Sequence, residues 1–309
     1  MSKGIVYNAE SFGYSEKAKA IWEEKGFVYQ AGSWDEIKHK ENFEDVSGLI
    51  VRLKEFVNAS ILSKFPNLKF VVSATTGHDH LDLNYFEQKG IHLYSLRPHK
   101  AFLDTIPSTA EHTWALLMAL LRNIPSASSS VNSGTWNRDA FRGHQLKNQR
   151  IGIVGLGRTG YKVATYAKAF EMDTFYYDPY VNNTEFKKCS SLEELFTSCT
   201  IVSLHIHLNE ETQGLIDYQV LSKAQAPLFL INTSRGKVWK EEDIVKALNT
   251  QIVKGVATDV LSEELGDFQS SPLWKVAKEN KNIIITPHIG GATWEAMWAC
   301  EEFICNQII

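Results

Sequence analysis

Four cysteines in 309 residues, Cys189, Cys199, Cys300 and Cys305, are too few and too irregularly spaced for a disulfide framework or a paired metal-ligand motif. They are expected to be free thiols in a reducing compartment. Basic charge is not in excess either: 32 Lys plus Arg stand against 36 Asp plus Glu, a net charge of -4. The cationic surplus that nucleic acid or an anionic membrane demands is missing. No run approaches the roughly 18 uninterrupted apolar residues of a membrane span. Met1 to Gly4 passes straight into Ile5-Val6-Tyr7 without a charged-then-apolar leader. Nucleic acid and membrane are therefore not expected as partners, and the cytoplasm is the expected location. Internal repeats, low-complexity tracts and long charge runs are absent as well, which excludes solenoids and tails.

What is present is an ordinary globular composition, 44% hydrophobic and 22% charged, in a chain longer than one core comfortably holds. Two domains are expected. Over the first hundred residues short β-branched or aromatic runs, Ile5 to Tyr7, Leu49 to Val51 and Phe70 to Ser73, alternate with amphipathic stretches, Glu16 to Glu24 and Ala59 to Lys64. That rhythm is βαβ, so it predicts a parallel sheet with helices on both faces. Pro107 to Leu121 predicts one long helix, with proline in the first turn and Glu111 near the positive end of its dipole. It is more apolar than a solitary surface helix, which points to a homodimer interface. The break at Arg97-Pro98 and the small polar residues from Ser126 to Gly134 suggest a domain crossing near residue 100.

From Arg150 the alternation restarts, with strands predicted at Ile151–Val154, Thr174–Tyr177, Ile201–Leu204, Leu228–Ile231, Gly255–Thr258 and Ile283–Ile285. The first of these runs into Gly155-Leu-Gly157-Arg-Thr-Gly160 and then an amphipathic stretch, Tyr161 to Phe170. Gly155 suits the tight turn, Gly157 a close approach of backbone to a pyrophosphate, and Gly160 close helix packing, while a helix N-terminus attracts phosphate. Asp178 ends the next strand, about 20 residues on, where a carboxylate can accept hydrogen bonds from adenosine ribose hydroxyls. Its charge repels a 2′-phosphate, so NAD is the expected cofactor.

Three more groups stand where later strands end. Arg235, in Asn232-Thr-Ser-Arg-Gly236, offers a planar guanidinium that can grip a carboxylate through two parallel bonds. His288, in Thr286-Pro-His-Ile-Gly290, suits proton transfer near neutral pH. Glu264 can fix the tautomer of that imidazole and stabilise its charged form. His78-x-His80 and His205-x-His207 lack a third ligand of fixed spacing, so no metal is expected.

At this point the sequence resembles the D-isomer-specific 2-hydroxyacid dehydrogenase family, from about residue 48 to 300. The likeness runs through Gly48 to Arg52, Thr76 to Asp82, Ala110-Glu111-His112, Trp136 to Leu146, the glycine motif, Asp178-Pro179-Tyr180, Ile201 to His205, Asn232 to Gly236, Asp259-Val260 and Thr286 to Thr293. It implies an α/β protein of two doubly wound parallel-sheet domains. Residues 1–100, completed by a C-terminal helix at 287–309, would form a flavodoxin-like substrate domain, and residues 101–286 a Rossmann-type NAD-binding domain. Chemistry is expected in the cleft between them, with hinges at Arg97–Leu103 and Thr286–Gly290. The resemblance implies an oxidoreductase moving a hydride between NAD(H) and C2 of a small 2-hydroxy acid, with Arg235, Glu264 and His288 as the catalytic trio. It also implies that Arg158, Thr159, His205, Thr212, Thr233 and Asp259 lie around the dinucleotide, that the Thr76-Gly77 backbone helps hold the substrate carboxylate, and that the protein is a homodimer.

Within the family, Arg52 and Arg138 match arginines that meet the phosphate of 3-phosphoglycerate, which makes that acid the expected substrate. A hydroxypyruvate or glyoxylate reductase would share the trio without a phosphate clamp. An NADH-sensing, corepressor-like module on the same scaffold is the alternative from another class. Two departures from the family pattern are Leu265 and His207, each standing where proline is usual.

Overall fold

The computed structural model describes residues 3–183, 185–279 and 282–308. The chain divides into two compact units, Met1–Ile106 with Ala292–Ile309, and Pro107–Gly291.

The first unit is built on five parallel strands, β1 Ile5–Asn8, β2 Val28–Ala31, β3 Val46–Val51, β4 Phe70–Ser73 and β5 His92–Ser95, in the order β2-β1-β3-β4-β5. This is the flavodoxin-like order, with its reversal between β1 and β3. Alternate strand residues face opposite ways. Tyr7, Leu49, Val51 and Val71 pack with Trp34, Phe43 and Phe65 on one face, while Val6, Ile50, Phe70 and Val72 pack with Trp22, Phe27, Cys300 and Ile304 on the other. Cys300 and Ile304 come from the helix Trp294–Asn306, which belongs to this unit. It starts later than the expected 287: Thr293 caps it, its hydroxyl accepting from Ala296 N at 3.2 Å. β2 and β5, with mostly exposed or half-buried residues, are edge strands that the hydrophobic pattern does not announce.

The second unit carries seven parallel strands: β6 Arg150–Val154, β7 Asp173–Tyr177, β8 Lys187–Lys188, β9 Ile201–Leu204, β10 Leu228–Asn232, β11 Val253–Thr258 and β12 Ile283–Ile285. Their order is β12-β11-β10-β9-β6-β7-β8, so connections run outward in both directions from β6 and β9. This is the doubly wound dinucleotide-binding order with one strand added. All six strands read from hydrophobic runs are present. The helix Ser108–Leu121 exists as expected, with Pro107 at its cap rather than inside its first turn. Its apolarity has a different cause from the one inferred. Eight of its 14 residues are buried, and Trp114, Leu117 and Leu121 pack with Ile151, Ile153 and Ile231 of the unit's own sheet. A second copy of the chain is not needed to cover it. The small polar stretch after it is also not a linker: Ile124–Asn132 is helical, with Pro125 in its first turn, where proline is tolerated.

Candidate active site

Because all seven strands of the second unit are parallel, their C-terminal ends share one edge, and the polar groups singled out by the sequence leave the sheet there. At the end of β6, Gly155 has φ 87°, and a Cβ on it would lie 2.6 Å from the His205 carbonyl oxygen. A Cβ at Gly160 would stand 2.0 Å from the Gly155 carbonyl oxygen, so the helix Arg158–Ala169 meets the turn only through glycine. Gly157 differs: nothing lies within 4 Å of its Cβ position. Gly157 offers no side chain to cap the helix it opens, which suits an anion at that open space. Arg158 and Thr159 are the first two residues of this helix, and both are half-buried. A phosphate fits such a cradle.

Asp178 is buried, at 8% exposure, and braces the loop. One carboxylate oxygen accepts from Leu156 N at 2.8 Å, the other from Tyr180 N at 2.8 Å and Val181 N at 3.0 Å. Three of its roughly four acceptor positions are thus used by backbone. Beyond β9, His205 Nε2 lies 2.8 Å from the Ser203 hydroxyl, and burial pushes its pKa down to about 3, so the ring is neutral beside the glycine turn. Thr212 closes the next loop on itself, its hydroxyl donating to the His207 carbonyl at 2.5 Å. Thr233, after β10, is buried with its hydroxyl 2.8 Å from that of Thr113.

Arg235 sits on a turn fixed from beneath by Asn232, which is fully buried. The Asn232 amide donates to the Arg235 carbonyl at 3.0 Å and accepts from Ser234 N, also at 3.0 Å. β10 and β12 flank β11, so Arg235 and His288 leave the sheet about 10 Å apart across the strands. Between them Asp259 ends β11. Its carboxylate accepts from the Thr286 hydroxyl at 2.5 Å, Ile289 N at 2.8 Å and Gly290 N at 2.7 Å, with His112 Nε2 at 3.2 Å. Burial raises its pKa, but these bonds outweigh burial and hold it below the usual carboxylate range. His112 Nε2 is also 3.1 Å from the Thr286 hydroxyl.

That network shapes the turn carrying His288, whose φ of 55° is a left-handed conformation uncommon outside glycine. Its amide donates to the Asp259 carbonyl at 2.9 Å. The imidazole Nδ1 lies 2.7 Å from Glu264 Oε1, with both side chains about one-quarter exposed. The other Glu264 oxygen accepts from Leu261 N at 3.3 Å. One ring nitrogen is thus committed to a carboxylate and the other, Nε2, is left for proton exchange.

A parallel, doubly wound sheet, a phosphate cradle at β6 and a carboxylate-backed imidazole at β12 occur together here, and a comparison with known families agrees with that combination. The family model for "D-isomer specific 2-hydroxyacid dehydrogenase, NAD binding domain" matches residues 114–290. The chain belongs to this family. Among curated relatives, D-3-phosphoglycerate dehydrogenase of Bacillus subtilis (strain 168) is 34% identical over 274 residues, 87% of this chain and 50% of that protein. The chain spans about half the length of the curated relatives it matches. Among solved structures, a protein from Thermus thermophilus superposes with a TM-score of 0.82 at 27% identity, covering 97% of this chain and 94% of that one. D-Lactate dehydrogenase from Aquifex aeolicus, solved with NAD and lactic acid, gives 0.78 at 25% identity, with coverages of 98% and 93%.

The remaining expected residues of this family member belong to other segments of the chain. Arg52 and Thr76-Gly77 leave the adjacent strands β3 and β4 of the first unit. The Thr75 hydroxyl donates to the Gly77 carbonyl at 2.9 Å and is 2.8 Å from the Ser73 hydroxyl, which braces the loop. Arg52 is no ordinary surface arginine: its side chain is 18% exposed and ion-paired with Glu301, itself 3% exposed. Arg138, in the second unit, is 91% exposed beside Asp139. His112, Asn232 and Thr286 support the site but carry no chemistry that spacing alone would flag. Among the described residues no cluster of His, Cys, Asp or Glu could hold a metal, all four cysteines are buried and outside any disulfide, and no helix is long and apolar enough to cross a membrane.

Proposed function

We propose that the protein is an NAD-dependent oxidoreductase acting at C2 of a D-2-hydroxy acid or the matching 2-oxo acid. The second unit is the NAD-binding unit and the first the substrate unit. The observation that carries this is the His288–Glu264 pair on the same sheet edge as the Gly155–Gly160 cradle. NAD fits the residues present: a helix N-terminus and the open face of Gly157 for the pyrophosphate, and Asp178 near the ribose. When bound, NAD supplies the hydride acceptor, and its reduced form the donor.

Every other step belongs to side chains. Arg235 grips the substrate carboxylate bidentately and so fixes C2. His288 Nε2 takes the hydroxyl proton during oxidation and returns it during reduction. Glu264, bonded to Nδ1, holds the tautomer and stabilises the imidazolium as it forms. Asp259 sets the turn that aims the ring, and its carboxylate would help hold the nicotinamide carboxamide.

For the substrate, the curated relatives support 3-phosphoglycerate, with Arg138 as a phosphate contact. The ion pair of Arg52 with Glu301 favours a second choice, an acid without phosphate such as hydroxypyruvate or glyoxylate. For assembly we propose a homodimer. It is supported by the helix Ile124–Asn132, which has no buried residue, and by the 88% exposed Trp136 that follows it. Light scattering showing only monomer would end that proposal.

The deciding experiment follows NADH absorbance with a panel of 2-oxo acids. Acid-dependent NADH consumption that disappears in His288→Gln, while NADH still binds, is the expected result. NADH binding without acid-dependent consumption would instead support the sensing, corepressor-like module.

A further inference from the structure

The first unit has a topological switch point of its own, between β1 and β3, and open α/β sheets bind ligands beyond the C-terminal ends of their strands at such a point. The segments leaving these two strands bring Glu10, Phe12 and Gly13 beside Arg52. Arg52 Nη2 donates to Oε1 of the buried Glu301, and Nη1 donates to the Phe12 carbonyl at 3.1 Å. A second carboxylate, Glu10, accepts from Arg52 N at 2.9 Å. The guanidinium is therefore paired with one buried carboxylate, Glu301, with Glu10 held on the backbone beside it, and the pair presents no net positive charge to an incoming dianion. Separating the pair would leave Glu301 buried and alone, the costly state of a buried charge.

What surrounds this neutralised pair is aromatic. The Phe12 ring lies 6.4 Å from that of Trp294, and Trp294 lies 5.4 Å from Trp298. The three are 85%, 52% and 42% exposed. They are nevertheless held in place. The Trp298 indole N–H donates to the Gly13 carbonyl at 2.9 Å, and Trp294 covers Gly13 so closely that a Cβ there would stand 2.6 Å from its ring. Rings fixed with their faces open at a ligand-binding edge suit an apolar partner group.

We propose that this edge reads the tail of the substrate and selects an aromatic or branched aliphatic 2-oxo or 2-hydroxy acid over a phosphorylated one. Trp294 and Phe12 are the specificity determinants, and Glu301 is the residue that cancels Arg52. The proposal rests on the 2-hydroxyacid reading above and replaces its phosphorylated substrate.

The test measures kcat/KM of the full chain with NADH for phenylpyruvate, 3-phosphohydroxypyruvate and tail-less glyoxylate. Phenylpyruvate is expected to exceed 3-phosphohydroxypyruvate by about 100-fold, and Trp294→Ala to lower phenylpyruvate about tenfold while leaving glyoxylate unchanged. Glu301→Gln is expected to raise 3-phosphohydroxypyruvate about tenfold. Preference for the phosphorylated acid, or an equal loss on phenylpyruvate and glyoxylate in Trp294→Ala, overturns the proposal. If no acid is reduced, the hydride-transfer reading fails separately. Titration calorimetry then decides the selectivity: phenylpyruvate must bind more tightly than phosphoglycolate and lose that advantage in Trp294→Ala.

Discussion

At the C-terminal edge of the β6–β12 sheet, charged groups are arranged in series. Asp259 holds the turn, the turn holds His288, and Glu264 holds the imidazole, each member leaving the next one atom with which to act. At the same edge of the β1–β5 sheet, charges close on each other: Arg52 is consumed by Glu301, and the outward surface is left to Phe12, Trp294 and Trp298. Two sheets of related topology thus arrange charge differently at one location, in series as the proposed proton transfer requires, or closed on itself as the proposed apolar recognition requires. A charged residue at a ligand-binding edge is therefore not evidence of a charged ligand until its partner is known.

The largest effect should come from cutting the series at its end. His288→Gln is expected to lower kcat by about a thousandfold with NADH affinity retained, the range of a lost general acid–base group. A loss confined to KM would move His288 from chemistry to binding. One step back, Glu264→Gln keeps a group beside Nδ1 but not its charge. It is expected to lower kcat about a hundredfold with NADH affinity retained, because the imidazolium that forms during turnover loses its counter-charge. An unchanged kcat would show that the carboxylate only packs against the ring.

A third substitution acts on stability. Asp259→Asn is expected to cost about 2 kcal/mol by weakening charge-assisted bonds to the turn, measured by urea denaturation at neutral pH. Since the Asp259 pKa is lowered in the folded chain, its stabilising share is present at neutral pH and lost as pH falls through that lowered value, below about pH 4. The asparagine variant should therefore lose less stability on acidification than the parent.

The smallest effect should lie on the edge of the first unit's sheet. Burial raises the pKa of Glu301 despite the bonds from Ser15 N and Arg52, so its contribution is full in acid and fades as pH climbs past the raised value. Glu301→Gln should flatten that decline, a difference of about 2 °C in Tm between pH 4 and 7. An equally large effect on both edges would undo the contrast between them.

Much of this was legible in the chain because central parallel strands are buried on both faces and read as continuous apolar runs. β6, β9 and β10 follow that rule, and the glycine motif after β6 has one physical explanation for each glycine. The edge strands β2, β5 and β8 were not legible, since exposed residues such as Lys187 and Lys188 carry no apolar signature. The helix Ile124–Asn132 reads as a linker because serine is a weak helix former. In the site, Arg235, Glu264 and His288 stand out by residue type at strand ends, whereas His112 and Asn232 act only by holding other groups. The Arg52–Glu301 pair joins residues 249 positions apart, a distance over which no periodicity speaks.

The left-handed backbone of His288 also bears on how such a protein can drift. A histidine held at φ 55° stores of order 1 kcal/mol that glycine or asparagine would release. Variants selected for yield or heat resistance alone should therefore tend to replace the residue proposed as the proton carrier. The most robust descendants of this chain would be inert, and catalysis would persist only where turnover itself is demanded.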